Sequence, residues 1–306
     1  MVCLTKGASL KAELILVLVT ILAAFGWIFS KESLHELPPF FFISTRFILA
    51  GFILTLVAPK SVLGMTRIDW KHASFVGGLM GLAMMFWITG LDQIQNIGVG
   101  AFISSLGVVF VPLVARLIFK DSSSRSIWFA LPIAVIGLGC LSLGSVQSAI
   151  GFEFAQLYFL VAACFLALQF TFLSKLTASI NSFGLTAVQL MATGVMILVV
   201  SLLTEEVPAT VSLSTLGWFF SSVFIATTLR FLLQTYAMSL ASASHAAIIM
   251  NLEPVWTAVF AVFWYSERMT SWQLLGCTFV FIAMLVAKWS AVKSFIRKNE
   301  RKRFFH

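Results

Sequence analysis

The sequence predicts an all-α integral membrane protein: ten transmembrane helices in two inverted-topology repeats of five. Three observations predict it: an apolar excess that no soluble core could hide, ten apolar runs separated by short polar breaks, and a second half that repeats the first at an offset of 144–146 residues. Of the 306 residues 60% are apolar and 10% charged, against roughly 45–50% and 25% in soluble domains. A soluble chain of this size still exposes much of its surface, so the excess must face lipid. At about 20 residues per crossing, ten crossings absorb nearly all the apolar residues. A soluble enzyme, a disordered chain and a nucleic-acid-binding domain are excluded.

The runs are bounded by charge, proline or polar clusters. The first, 12–30, follows Lys6 and Lys11 and stops at Lys31. Its Ala23-Ala24 pair is small enough for signal cleavage, but Glu13 interrupts the usual charged region, so it is read as a retained helix. The second, 40–58, lies between Pro39 and Pro59, and the third, 73–91, between Lys71 and Asp92. In the third, Gly77-x-x-x-Gly81 lets another helix of the same chain pack closely. The fourth, 96–118, and fifth, 127–144, flank the charged stretch around Lys120 and Arg125. The sixth, 152–174, ends at Lys175, the seventh, 183–203, at Glu205-Glu206, and the eighth spans 216–237. The ninth, 242–264, precedes Glu267-Arg268, and the tenth, 271–290, runs into a basic tail. The first repeat is therefore 1–146, the second 147–290, and 291–306 is a tail.

Orientation follows from the basic residues. With the N-terminus inside, sixteen Lys and Arg fall on the cytoplasmic side and two, Lys31 and Arg268, outside. That bias places both termini in the cytoplasm. Seven of the sixteen lie between Lys288 and Arg303, so the net charge of +8 marks an anchor on anionic lipid headgroups rather than a nucleic-acid site. The scattered Cys3, Cys140, Cys164 and Cys277 form no disulfide framework or metal motif. The short loops suit a bacterial inner membrane.

The two halves align. Ser30-Lys31 matches Ser174-Lys175, and Leu91 to Asp121 matches Ala237 to Glu267, with Leu106 on Leu252, Ile136 on Ile282 and Gly137 on Ala283. Five segments per half is an odd number, so the second copy enters the membrane inverted, an arrangement recurrent among secondary transporters.

Residues 23–50, A-A-F-G-W…S-K…P-P…R-F-I-L-A, together with Tyr236-Ala237-Met238…Ala246-Ala247…Leu252-Glu253-Pro254-Val255…Glu267…Gly276, resemble EamA-type members of the drug/metabolite transporter superfamily over about 13–290. The resemblance implies ten helices around a central cavity, and a carrier that exports amino acids, related metabolites or drugs, or takes up vitamins and other small solutes. The first half departs from the pattern: Gly107 and Val108 stand at the Glu-Pro positions and the proline comes later, at Pro112. The two halves are therefore expected to contribute unequally to the site.

An ionisable group inside a bilayer costs several kcal/mol on insertion scales, so it normally faces protein or water. Glu253, near the middle of the ninth segment, is the leading candidate for substrate binding or proton coupling; a structural carboxylate paired with Arg is the alternative. Pro254 removes a backbone donor there and is expected, with Pro112, to break its helix. Arg46 and Arg230 lie about two turns inside their segments and could contact substrate, pair with Glu253 or snorkel to an interface. Asn251, Gln234 and Gln169 could hydrogen-bond a polar solute or a neighbouring helix. Trp27, Trp87, Tyr158 and Trp256 could line a cavity or pack, and His245 opens the ninth segment near the interface.

No G-x-x-x-x-G-K-[ST], H-E-x-x-H or G-x-S-x-G occurs, so neither cofactor nor metal is expected. The reading is a non-enzymatic secondary transporter moving a small organic solute, with protons as a possible coupling ion and export favoured. A lipid-directed membrane enzyme and a non-transporting membrane subunit are the competing classes.

Overall fold

The computed structural model describes residues 6–119, 129–130, 132–137, 140, 154–177, 179–208, 210–240, 249–250, 252–266 and 269–287. Every regular element among them is helical. In chain order they are α1 (Lys6–Ser33), α2 (Pro39–Val57), the short α3 (Pro59–Leu63), α4 (Arg67–Gln93), α5 (Ile97–Ser105) and α6 (Gly107–Phe119). After 129–137 follow α7 (Phe154–Leu176), α8 (Ser182–Thr204), α9 (Leu213–Leu240), α10 (Glu253–Tyr265) and α11 (Ser271–Ala287). Six of these (α1, α2, α4, α7, α8 and α9) are long and apolar enough to cross a membrane. The fifth expected segment and the basic tail fall largely or wholly outside the described residues.

Helix ends are set by local chemistry. Pro39 sits in the first turn of α2, where a missing N–H costs nothing. α4 begins six residues before the expected 73 because Thr66 and Asp69 form a capping box: the Asp69 N–H donates to the Thr66 hydroxyl, and the Thr66 N–H donates back to the carboxylate. Polar residues there belong to the helix although they add nothing to an apolar run.

The expected fourth segment is interrupted. The chain turns at Leu106 between α5 and α6, whereas α6 continues through Pro112, so the break falls six residues before that proline. At Leu252 the chain turns in the same way before α10, and Pro254 is the second residue of the new helix rather than its point of rupture. The hydrogen bonds match: Leu106 N–H donates to the Ile103 carbonyl at 3.1 Å and Leu252 N–H to Ile249 at 3.0 Å. Phe110 and Trp256 then donate to Leu106 and Leu252, both at 3.1 Å. These are the residues aligned at an offset of 146.

Between lipid-exposed helices burial gives little attraction, so close van der Waals packing must hold them together. Small residues provide it. A Cβ on Gly51 of α2 would lie 2.5 Å from Met191 Cγ and 2.9 Å from the Ala187 carbonyl oxygen of α8, and one on Gly194 of α8 would lie 2.7 Å from Ile48 N. Gly77 and Gly81 serve α4 in the same way: their missing side chains let it approach Gln189 and Met196 of α8, and the Thr193 hydroxyl donates to the Gly77 carbonyl at 2.8 Å. The motif is an intramolecular packing face, as expected.

Polar clasps gather at the end of the bundle that carries Lys31. The Lys31 ammonium donates to the carbonyls of Leu91 (2.8 Å), Asp92 (3.2 Å) and Ile94 (3.0 Å), around the C-terminus of α4. The Tyr265 hydroxyl donates to Glu32 at 2.8 Å. Glu36 accepts from the Ser212 N–H at 2.7 Å, which with the Ser212 hydroxyl holds its carboxyl below the ordinary range. That contact is present at neutral pH and is lost as pH falls through the lowered pKa.

Glu205 clasps the two halves. One carboxylate oxygen accepts from the Phe40 N–H and the other from the Phe41 N–H, each at 2.7 Å, and Ser201 donates to the second at 2.9 Å. A carboxylate from the end of α8 thus occupies the N-terminus of α2, where orphan donors and the helix dipole favour it. Glu205→Gln keeps one acceptor and loses the charge. It is expected to lower stability by about 1–2 kcal/mol, read as an earlier midpoint of thermal unfolding in detergent.

Candidate functional site

A cavity of about 180 Å³ opens in the middle of the bundle, walled by α1, α2, α4, α5, α6, α7, α9 and α10 and by Met250. Apolar side chains, among them Met80, Met84 and Phe170, make most of the wall. Among the described residues that line it, the charged ones are Arg46, Arg230 and Glu253.

Glu253, the first residue of α10, accepts from Trp27 Nε1 of α1 at 3.2 Å on one oxygen and from Arg230 Nη2 of α9 at 3.4 Å on the other. Its pairing partner is therefore Arg230. The pair is not sealed: the two side chains remain 22% and 17% exposed. Trp27 is steadied by an edge-on contact with Trp87 at 4.8 Å and a tilted one with Phe159 at 5.6 Å. Pro254 has no N–H, so the carbonyl of Met250, a residue of the cavity wall, lacks the donor a continuous helix would have supplied.

Arg46 is more deeply set, at 5% exposure. Its Nε donates to the Thr227 hydroxyl, Nη1 to Ser30 Oγ at 2.7 Å and Nη2 to the Ala226 carbonyl at 3.4 Å, and the guanidinium packs near the Phe42 and Phe47 rings. Two of these partners are presented by a π-helical stretch of α9, Ser222–Leu229. There Thr227 and Thr228 return their hydroxyls to carbonyls five residues back, Ser222 at 2.9 Å and Val223 at 2.8 Å. A π-turn widens the helix by one residue. It sets Ala226 and Arg230 on the cavity wall and leads directly into Arg230.

Several polar atoms at the wall are buried and find no hydrogen-bond partner among the described residues: Ser104 Oγ, Arg230 Nε and the Gln234 amide oxygen. Buried without partners, such groups carry a desolvation cost that no hydrogen bond among the described residues offsets.

Of the residues singled out in the sequence, Trp27, Arg46, Trp87, Gln169, Arg230, Gln234, Glu253 and Pro254 come together here. Tyr158 lies away from the cavity, its ring 6.4 Å from Phe86. Trp256 turns aside to stack on Phe260, with its indole N–H buried and unpartnered among the described residues. The Pro112 side chain, Asn251 and His245 lie outside what the structure describes. Ser104, Ser105, Thr227 and the anchoring role of Ser30 were not anticipated. The serines had a signal: they immediately precede Leu106, the position aligned with Leu252. At the same offset Glu253 falls on Gly107 and Arg230 on Met84, both of which line the cavity. The ion pair of the second half thus has an uncharged counterpart in the first.

The EamA-like transporter family matches this chain twice, over residues 10–143 and 153–289. An uncharacterized transporter of Archaeoglobus fulgidus is 28% identical over 90% of this chain and 85% of its own length. The uncharacterized transporter YoaV of Bacillus subtilis is 23% identical over 88% and 94%. A probable 4-amino-4-deoxy-L-arabinose-phosphoundecaprenol flippase subunit of Pseudomonas fluorescens is 29% identical over 28% of this chain and 71% of its own. A crystal structure with a TM-score of 0.65 covers 92% of this chain and 98% of its own at 18% identity, a likeness of fold.

Proposed function

The chain belongs to the EamA-like transporter family, and from that premise we propose that it is a secondary transporter carrying a small organic metabolite by alternating access. The observation that carries the proposal is a mainly apolar cavity with a charged and polar corner in the middle of a lipid-facing bundle, where Glu253, Arg230 and Trp27 meet at its wall. A buried polar corner of this kind is expensive unless it is used. The carrier has ten crossings in two inverted five-helix halves, 1–146 and 147–290; the double family match and the twin breaks at Leu106 and Leu252 support that count. It sits in a bacterial inner membrane with both termini cytoplasmic, so the Lys31 end faces outward and its clasps close the outer side. The tail 291–306 rests on anionic headgroups. Amino acids and related compounds, moved outward, are the leading cargo, and no enzymatic step is required.

Glu253 couples transport to protons. Protonation would weaken its hold on Arg230 and Trp27 together, which links a proton to the contact between α1, α9 and α10. The test compares solutes in the medium of cells overproducing the native chain and Glu253→Gln at equal membrane levels. Solutes enriched outside by the native chain alone support export, and faster depletion by the native chain supports uptake instead. Identical media would remove the transport reading. In proteoliposomes Glu253→Gln is expected to keep solute exchange and lose accumulation driven by a pH gradient.

A further inference from the structure

Taking the carrier reading as given, we infer that the cavity accepts an organic solute of net charge −1 in preference to a zwitterion or a cation. The charged side chains at the described wall are two arginines and one carboxylate. Arg230 and Glu253 offset each other. Arg46 remains, and its hydrogen-bond partners among the described residues are two hydroxyls and a carbonyl, all neutral. These orient the guanidinium and leave its charge uncompensated. They take up three of its five N–H donors, so two remain for an occupant.

A lone positive charge at 5% exposure in a bilayer-embedded protein creates a strong demand for an anion, because screening there is weak. A second observation points the same way. Arg230 Nε and Ser104 Oγ, both able to donate and both on residues that line the cavity, are buried without partners among the described residues, whereas the unpartnered atom of Gln234 is its amide oxygen, an acceptor. A carboxylate placed beside Arg46 would restore neutrality, and a turn of the Arg230 and Ser104 side chains would bring their idle donors to it. A zwitterion would bring an ammonium group into a wall of net charge +1; the Gln234 amide oxygen offers it a neutral acceptor, but the one carboxylate present is already paired with Arg230, so its charge has no free counter-charge. The apolar remainder, with Trp27, Trp87, Met80 and Phe170, suits a hydrocarbon or aromatic body. Within the proposed cargo this selects carboxylic acids without a balancing amine, and acidic amino acids, over neutral amino acids.

The test uses two series that share a body and differ in charge: hydrocinnamate, phenylalanine and phenethylamine; isocaproate, leucine and isoamylamine. Each is radiolabelled and its binding to the purified full-length protein measured by equilibrium dialysis, then its exchange measured in proteoliposomes. The anion of at least one series is expected to bind about tenfold or more tightly than its zwitterion, with the cation weakest. Arg46→Gln, which brings the wall to neutral, is expected to erase that order. Glu253→Gln, which raises the wall to +2, is expected to tighten the anion several-fold, and it serves alone if Arg46→Gln does not fold. Equal or tighter binding of a zwitterion or cation, or no anion bound at millimolar concentration, overturns the inference. Exchange that favours zwitterions keeps the carrier and removes the charge preference. Anion binding without exchange keeps the charge preference and removes the carrier.

Discussion

Replacing Arg46 with methionine is expected to abolish solute movement while leaving the protein at least as stable as the native chain. The two effects separate because the groups around Arg46 do not depend on it. Ser30 Oγ also donates to the Gly26 carbonyl at 2.6 Å, and Thr227 Oγ1 to Ser222 at 2.9 Å, so both hydroxyls stay satisfied in the variant. The Ala226 contact is long, at 3.4 Å. Removing a buried charge that lacks an opposite charge ends a standing desolvation cost, on the order of several kcal/mol per ion, which offsets the three hydrogen bonds lost with it. Methionine also suits the Phe42 and Phe47 rings. Losing a desolvated charge that contacts the solute costs about 2–5 kcal/mol of binding, a hundredfold or so in uptake at limiting substrate. Counterflow in proteoliposomes and thermal midpoints in detergent, measured on the same preparation, check both halves. A fall in both together would mean that Arg46 is structural.

The second large effect concerns folding. Gly194→Leu is expected to prevent stable assembly of α2 against α8, with a loss of about 3 kcal/mol or more. A Cβ there would meet Ile48 Cγ1 at 2.6 Å, Ile48 N at 2.7 Å and the Ser44 carbonyl oxygen at 2.8 Å. The first of these can move, but the other two are backbone. Ile48→Ala is therefore expected to rescue Gly194→Leu only slightly. At Gly51 the nearest atom belongs to the Met191 side chain, at 2.5 Å, but the Ala187 carbonyl oxygen and Met191 N, both backbone, lie at 2.9 Å, so Met191→Ala is expected to rescue Gly51→Ala only in part. The yield of monodisperse protein after extraction, with the thermal midpoint of what survives, reads out both pairs. Full recovery of Gly194→Leu by Ile48→Ala would show that the helices can separate, contrary to their close approach.

Elements whose ends coincide with a change in polarity could be read from the sequence. The helices α2, α7 and α8 lie within two residues of their expected segments because Pro39, Lys175 and Glu205 mark where the apolar run stops. α1 and α4 reach beyond theirs, since Lys6, Lys11, Arg67 and Lys71 are good helix formers that an apolar window discards. The break at Leu106 carries no proline, glycine pair or charge before it, and only its alignment with Leu252 exposes it. The π-stretch Ser222–Leu229 was invisible because S-V-F-I-A-T-T-L suits an α-helix equally well. It is the threonine hydroxyls bonding five residues back that reveal the wider turn. In the site, charge in a hydrophobic setting was a sufficient signal for Arg46, Arg230 and Glu253. The choice of Arg230 over Arg46 as the partner of Glu253 depends on which faces of α2, α9 and α10 meet, and that is a property of packing. Tyr158 and Trp256 share the composition of cavity residues but point elsewhere, a distinction of helical phase.

The Glu205 clasp has a consequence for biosynthesis. The carboxylate that completes the N-terminus of α2 lies 165 residues after Phe40 in the chain. At about 5–20 residues per second, the ribosome leaves α2 in place with bare amide groups for roughly ten to thirty seconds before α8 and its glutamate emerge. The early segments must wait in the membrane as loosely tethered rods, and the first half becomes fixed only when translation of the second is well advanced.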